Sequence, residues 1–188
     1  MRPVCATGFS LVEVLIAIVV LALGIVGGAA MQLTALQTRH QSLLLSQAMH
    51  MAAGMADSMR ANAPAMRAAG GANPYLGWRY DALADPDPAP PSPLCLGAGA
   101  CASAELAEFD LYELKRQVSE ALPAGRAVIC RDSNPFQGGH LRWQCQGDAA
   151  APVVIKVGWR AKNPDGRPLL DDDGDFAPGV ALPVGALQ

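Results

Sequence analysis

The strongest constraint on the fold lies near the N-terminus, where a short leader precedes a long apolar run. The leader, Met1 to Gly8, carries Arg2 as its only charged residue. The segment from Val14 to Met31 holds about 18 uncharged and mostly apolar residues, close to the roughly 20 that a helix needs to span a bilayer. The run therefore predicts a membrane helix that begins soon after the leader.

A single carboxylate, that of Glu13, lies at the start of this apolar run, four positions after Phe9. An ionised carboxylate at the centre of a membrane helix costs roughly 2.5–3.5 kcal/mol, so such a group requires a positively charged partner. Cleavage after Gly8 would give Phe9 a free α-amino group one helical turn from Glu13. The amine of a neighbouring copy would serve equally well.

The sequence from Gly8 to Val14, GFSLVEV, resembles the class III signal of type IV prepilins and of type II secretion pseudopilins. The resemblance implies that a prepilin peptidase cleaves after Gly8 on the cytoplasmic face and methylates the new N-terminal residue, Phe9. It also implies that Glu13 is the glutamate that guides assembly. The alternatives are a signal anchor with an incidental glutamate and a secretory signal peptide, whose apolar region spans only roughly 7–15 residues.

Three glycines, Gly24, Gly27 and Gly28, lie in the second half of the apolar run. Each lowers helix propensity by about 0.8–1 kcal/mol relative to alanine. They either let neighbouring helices approach closely or mark a point where the helix stretches or kinks. The sequence leaves both interpretations open.

The helical pattern continues beyond the apolar run to about Asn62, just before Pro64. We expect residues 9–31 to form the transmembrane half, and residues 32–63 the amphipathic half, of one helix about 80 Å long. The globular domain would pack on a stripe of apolar residues spaced by three, four and seven: Leu33, Leu36, Leu43, Leu44, Met51, Met55, Met59 and Met66.

The remaining chain predicts a loop region followed by a small α+β domain. Residues 64–104 are rich in proline and glycine, and we expect Tyr75, Trp78 and Tyr80 to pin this loop region to the domain. Residues 105–188 predict a short helix and an antiparallel sheet. The expected elements are a helix over Ala104–Leu122, strands over Arg126–Arg131, His140–Gln144 and Val153–Ala161, and a short returning strand near Pro168–Leu170.

This order predicts an α+β fold in which the sheet covers the outer half of the long helix, the layout of pilin-like folds. Residues 104–162 resemble the type IV pilus modification protein family, called PilV. The resemblance lies in the turn Leu122-Pro123-Ala124-Gly125 and in Trp159 near the end of a strand, and the helix end Asp57–Asn62 is similar as well. It favours a minor pilin over a secretion pseudopilin.

Five cysteines are present, of which Cys5 lies in the leader. The other four allow three pairings, and an even number outside the cytoplasm favours disulfides. We expect Cys95–Cys101, which closes a small loop, and Cys130–Cys145, which would join two neighbouring strands. Zinc is less favoured because the spacings are not paired CxxC motifs.

Candidate chemistry is sparse. No nucleotide-binding or hydrolase motif occurs, and the net charge of −3 without a basic run disfavours nucleic acid. Asp171, Asp173 and Asp175 form a possible calcium loop, although the glycine is displaced from its EF-hand position and no bidentate glutamate follows. We therefore expect no metal, no cofactor, no small-molecule substrate and no enzymatic activity.

The expected function is that of a minor pilin, a structural subunit in type IV pilus assembly or modification. Its expected partners are prepilin peptidase, other minor and major pilins, and inner-membrane lipid. We expect a single pass through the inner membrane with the N-terminus cytoplasmic and the C-terminal domain periplasmic, before transfer to the pilus. The alternatives are a type II secretion pseudopilin and a pilus-tip adhesin or DNA-capture subunit.

Overall fold

The computed structural model describes residue 8 and residues 10–68, 70–96, 100–160, 166–168, 170–171 and 173–185. The chain divides into two compact units, Met1–His40 and Gln41–Gln188. Helix α1, Leu11–Ala61, contributes residues to both units, and a five-residue helix α2, Ala63–Arg67, follows it. The end of α1 matches the expectation, because Pro64 lacks the N–H that would continue the helix and is tolerated only in the first turn of α2.

The first unit consists of the initial part of α1. The backbone N–H groups of Glu13 and Val14 donate to the carbonyl oxygen of Ser10 at 3.0 and 3.3 Å, which starts the helix. Every side chain from Leu11 to His40 is exposed. Among the described residues, α1 is the one helix long and apolar enough to cross a membrane.

The second unit contains the C-terminal part of α1, helix α3 (Ser103–Ala121) and a four-stranded antiparallel sheet. The sheet has the order β1-β2-β5-β6, and β3 pairs with β4 in a separate hairpin. The strands are β1 Trp78–Asp81, β2 Arg126–Arg131, β3 Phe136–Gln137, β4 His140–Leu141, β5 Val153–Gly158 and β6 Val180–Pro183.

The core of the second unit lies between α1, α3 and one face of the sheet. Alternate residues of neighbouring strands meet in register on this face, as Tyr80, Ala127 and Val157 do. Helix α1 contributes the buried residues Leu44, Ala48, Met51, Ala52, Met55, Ala56 and Met59, and α3 contributes Ala107, Leu111, Leu114 and Val118. The predicted α+β fold, with a long helix packed against a small antiparallel sheet, is thus confirmed.

The segment predicted as a loop, residues 64–104, contains more regular structure than expected. It includes α2, a 3-10 turn over Gly70–Ala72 and strand β1. Strand β1 is only four residues long and is defined by its antiparallel pairing with β2. That partner lies far along the chain, so the local pattern of glycine and proline obscured the strand.

Three strand predictions need correction. The strand expected over His140–Gln144 ends at Leu141, because the next backbone carbonyls accept hydrogen bonds from the Lys156 ammonium. The strand expected over Val153–Ala161 ends at Gly158. The chain leaves the sheet there, since the N–H of Arg160 donates to the carbonyl of Pro123 at 2.9 Å. Strand β6 was not predicted, and near the expected returning strand Leu170 forms only an isolated bridge with Phe176.

Candidate assembly site

The candidate assembly site is the N-terminal turn of α1 with the apolar helix that follows it. Glu13 lies in the first turn, where a negative charge interacts favourably with the helix dipole. Its side chain is exposed and borders an apolar hollow formed by Val14, Ala17, Ile18 and Leu21. The Glu13 carboxylate thus lies beside an apolar surface. The predicted contact with the N-terminal amine and apolar helix of a neighbouring copy requires this arrangement.

The residues of the predicted cleavage site are only partly described. Gly8 is exposed, and Phe9 lies outside the described residues. Cleavage after Gly8 and methylation of Phe9 therefore stay predictions from the sequence.

No other described residue covers the apolar side chains of Leu11–His40. The exposed residues include Leu11, Leu15, Ile18, Leu21, Leu23 and Ile25. Soluble monomers rarely expose contiguous apolar patches larger than a few hundred Å². This helix surface therefore suits contact with lipid or with other helices.

The three glycines of the apolar run do not interrupt the helix. Helix α1 continues through Gly24, Gly27 and Gly28, and a Cβ atom added at any of them would meet nothing within 4 Å. Their absent side chains are thus not required by packing inside the chain. Close helix contact and local stretching both stay open.

A polar cluster that the sequence did not predict joins the end of α1, the following loop and α3. Tyr75 is fully buried; its hydroxyl donates to Asp110 Oδ2 at 2.7 Å and accepts from Asn62 Nδ2 at 3.0 Å. The Asn62 side chain also donates to the Ser103 carbonyl at 2.7 Å. Burial raises the pKa of Tyr75 above its usual range, and the hydrogen bond to Asp110 raises it further. The expected role of Tyr75 in pinning the loop to the domain has this physical basis.

A buried ion pair on the other side of the sheet was also not predicted. Lys156 and Asp132 are fully buried, with Nζ and Oδ2 2.6 Å apart. The ammonium also donates to the carbonyls of Arg142 and Gln144 at 2.7 and 2.8 Å. Burial alone would raise the pKa of Asp132, but hydrogen bonds from Lys156 and two backbone N–H groups lower it below its usual value. The pair holds the segment after β4 against β5.

Two aspartates of the possible calcium loop, Asp171 and Asp175, make side-chain contacts within the protein. Asp171 Oδ1 accepts the backbone N–H groups of Asp173 and Asp175 at 3.1 and 3.0 Å. Asp175 Oδ2 lies 2.9 Å from an Arg126 guanidinium nitrogen. Within the described ranges, no group of three or more acidic, histidine or cysteine side chains is placed to hold a metal ion. Calcium binding stays a sequence-based hypothesis.

The four cysteines outside the leader form two pairs at disulfide distance. Cys95 pairs with Cys101 and Cys130 with Cys145, with Cα–Cα distances of 5.9 and 6.2 Å. The second pair does not join neighbouring strands as expected, since Cys145 follows β4 and lies outside any strand. It attaches β2 to the segment that Lys156 also holds.

Comparison with protein families gave two matches on adjacent parts of the chain. Residues 5–29 match the prokaryotic N-terminal methylation motif, and residues 30–112 match the type IV pilin Tt1218 family. The chain is similar to type IV pilins. Together the matches support a pilin subunit in pilus assembly, and the methylation motif implies processing by prepilin peptidase and assembly with other pilins.

The matched residues cover the main features of the candidate site. The methylation motif includes Gly8 and Glu13, and with the apolar helix it suggests membrane anchoring and a place in a pilus. The pilin match includes Asn62, Tyr75 and Asp110 and ends before β2. Pilin families consist of structural subunits. Searches of curated proteins and of solved structures gave no match.

Proposed function

We propose that the protein is a minor pilin, similar to the PilV family, that acts in the assembly or modification of a type IV pilus. The observation that carries this proposal is the direct continuity of the N-terminal methylation motif with the apolar first part of α1, whose side chains from Leu11 to His40 are all exposed. The short α3 and the turn Leu122–Gly125 support the PilV-like interpretation at the level of resemblance.

In this proposal the apolar side chains of α1 provide the binding energy between subunits, and Glu13 determines the axial alignment of neighbouring helices. Full burial of one Leu, Ile or Val side chain contributes about 1.5–3 kcal/mol, and many such side chains are exposed on α1. A buried ion pair adds little net affinity, but an unpaired buried charge is strongly unfavourable. Pairing of Glu13 with the N-terminal amine of a neighbouring subunit would therefore select one axial position.

The proposed location is the inner membrane and then the pilus. The leader would stay on the cytoplasmic side and the second unit would lie in the periplasm. The two cysteine pairs at disulfide distance are consistent with an oxidising compartment outside the cytoplasm.

The decisive experiment separates processing from assembly. Glu13→Ala and Glu13→Gln are expressed in a strain that lacks the native copy. We expect normal cleavage and methylation of Phe9 by intact-mass spectrometry, but strong depletion from sheared pili by immunoblot. Glu13→Asp keeps the charge and is expected to retain part of the incorporation. Normal incorporation of the alanine variant would refute the role assigned to Glu13.

Two further measurements test the wider proposal. Substitution of Gly8 is expected to leave the uncleaved precursor in the membrane. Affinity purification of the wild-type protein is expected to recover the major pilin. Recovery of secretion-system subunits instead would establish the pseudopilin alternative, and recovery of neither would oppose both.

A further inference from the structure

A groove of about 260 Å³ lies between the C-terminal part of α1 and α3 in the second unit. Met51, Met55 and Leu114 give it an apolar floor, and all three are buried. Asp110 and Glu113 of α3 add two carboxylates, and none of the described lining residues is basic. The groove thus combines apolar surface with negative charge.

Gly54 keeps the groove open on the α1 side. It is exposed in the C-terminal part of α1, and a Cβ atom added there would meet nothing within 4 Å. Internal packing therefore does not require glycine, although glycine weakens helix propensity relative to alanine. The missing side chain lets a second helix come close to the α1 backbone at this point.

The two carboxylates of the groove differ in their partners. Glu113 forms an ion pair with Arg116 at 2.9 Å. Asp110 accepts a hydrogen bond from the neutral Tyr75 hydroxyl and belongs to none of the described ion pairs. Burial raises its pKa, against the opposing hydrogen bonds from Tyr75 and Ser58. A cation arriving from outside would stabilise the ionised form of this half-buried group.

The same chain carries a surface of complementary chemistry in its first unit. Leu33, Leu36, Arg39 and His40 are spaced by three and four residues on α1, which places them on one side of the helix. Leu33 and Leu36 are 60% and 62% exposed, and Arg39 is exposed and belongs to none of the described ion pairs. The two leucines are complementary to the apolar floor of the groove, and the Arg39 guanidinium is complementary to the Asp110 carboxylate.

We propose that the groove receives the Leu33–His40 segment of a second copy of this chain. Leu36 packs over Met51 and Met55, the helix backbone approaches at Gly54, and the Arg39 guanidinium pairs with Asp110. This mode of recognition, a helix bound in an apolar groove by anchors spaced by three and four residues, is common among proteins. The inference deepens the proposed function by naming a contact between subunits, and it rests on that function.

The test uses the full-length protein, purified in detergent, with the photocrosslinking amino acid p-benzoylphenylalanine in place of Gln117, an exposed residue of α3 that lines the groove. Irradiation is expected to give a covalent adduct of twice the subunit mass, with the crosslink mapped by mass spectrometry to residues 33–43 of the second copy. The same crosslinker at Leu83, an exposed position after β1, is expected to give no such adduct.

Charge variants then test the pairing. Arg39→Glu is expected to lower the adduct yield at least fivefold, whereas Arg67→Glu, the same change at an exposed site on α2, leaves it unchanged. Asp110→Lys combined with Arg39→Glu restores the yield. If Asp110→Lys fails to fold, Asp110→Asn replaces it, because its amide oxygen still accepts from Tyr75; it is expected to lower the yield several-fold without lowering the unfolding temperature.

An absent adduct, an adduct mapped to another segment, or a yield unaffected by Arg39→Glu would overturn the inference. Methylation of Phe9 and entry into sheared pili are measured on the wild type and on the same charge variants. Normal processing and pilus entry of the wild type, together with an absent adduct from position 117, refute only the groove contact. Loss of processing and of pilus entry in the wild type refutes the pilin function itself.

Discussion

Replacing Lys156 by methionine tests whether the buried ion pair stabilises the second unit. Methionine preserves much of the length of the side chain but removes the ammonium. In the native protein that ammonium contacts Asp132 Oδ2 at 2.6 Å and the carbonyls of Arg142 and Gln144 at 2.7 and 2.8 Å. Both charged side chains have 0% exposure, so water does not replace the lost partner.

The expected loss in the free energy of unfolding comes mainly from the Asp132 carboxylate, which stays buried after the ammonium is removed. Removal of one member of a buried pair typically costs about 3–5 kcal/mol, because the other charge stays buried without a partner. The two carbonyls lose their donor as well, although these contributions do not simply add. Small domains are stable by only about 5–15 kcal/mol, so Lys156→Met is expected to remove a large part of the total.

The assay is urea unfolding of the purified full-length protein in detergent, followed by tryptophan fluorescence at several pH values. The lowered pKa of Asp132 in the folded state means that its ionisation stabilises the protein above the unfolded pKa of about 3.9. This contribution is lost as the pH falls through the folded pKa. In Lys156→Met, burial without the ammonium raises the Asp132 pKa, so the stability deficit is expected to shrink on acidification.

The double variant Lys156→Met/Asp132→Asn provides the control. It removes both charges, and its loss is expected to be smaller than the sum of the two single losses by about 0.5–3 kcal/mol. A loss below about 1 kcal/mol for Lys156→Met, or additive effects, would refute the assigned role of the pair.

The remaining predictions concern the Tyr75 cluster and the turn after α3, and the same unfolding assay measures them. Tyr75→Phe is expected to cost about 1–3 kcal/mol, because it removes the hydroxyl that donates to the half-buried Asp110; an unchanged midpoint would contradict this. Ala124 has a φ of 48°, so Ala124→Gly is expected to stabilise the protein by about 1 kcal/mol. Gly125→Ala is expected to cost about 1–3 kcal/mol, since its Cβ would lie 2.6 Å from the carbonyl oxygen of Val118. Effects of the same sign at these adjacent positions would refute the explanation of the turn.

Features determined by local sequence were predicted closely. Helix α1 was expected to end at about Asn62 and ends at Ala61. The agreement is close because Pro64 lacks the N–H that would continue the helix, which is a purely local effect. Helix α3 begins at Ser103, where the Glu105 carboxylate accepts the N–H of Ala102 at 2.8 Å. Strand β2 has its predicted bounds, since its alternation lies between clear turn residues.

The apolar stripe on α1 was predicted only in part. Leu44, Met51, Met55 and Met59 are buried as expected, but Leu43 is 54% exposed. A period of 3.6 residues gives the direction of a side chain on the helix and not whether another element covers it. In the second unit, the positions of α3 and the sheet decide which of these residues are buried.

The N-terminal methylation motif, the apolar helix with Glu13 in its first turn, and the α+β class could be predicted from local sequence, because each depends on neighbouring residues or on a short period. The pairing of β1 with β2 and of β5 with β6, and the contacts of the buried polar groups, depend on how distant segments meet in the folded chain. Lys156 meets Asp132 across 24 positions, and Tyr75 meets Asp110 across 35. Such pairs form where the folded backbone leaves a buried polar atom in need of a partner, and no local pattern encodes that need.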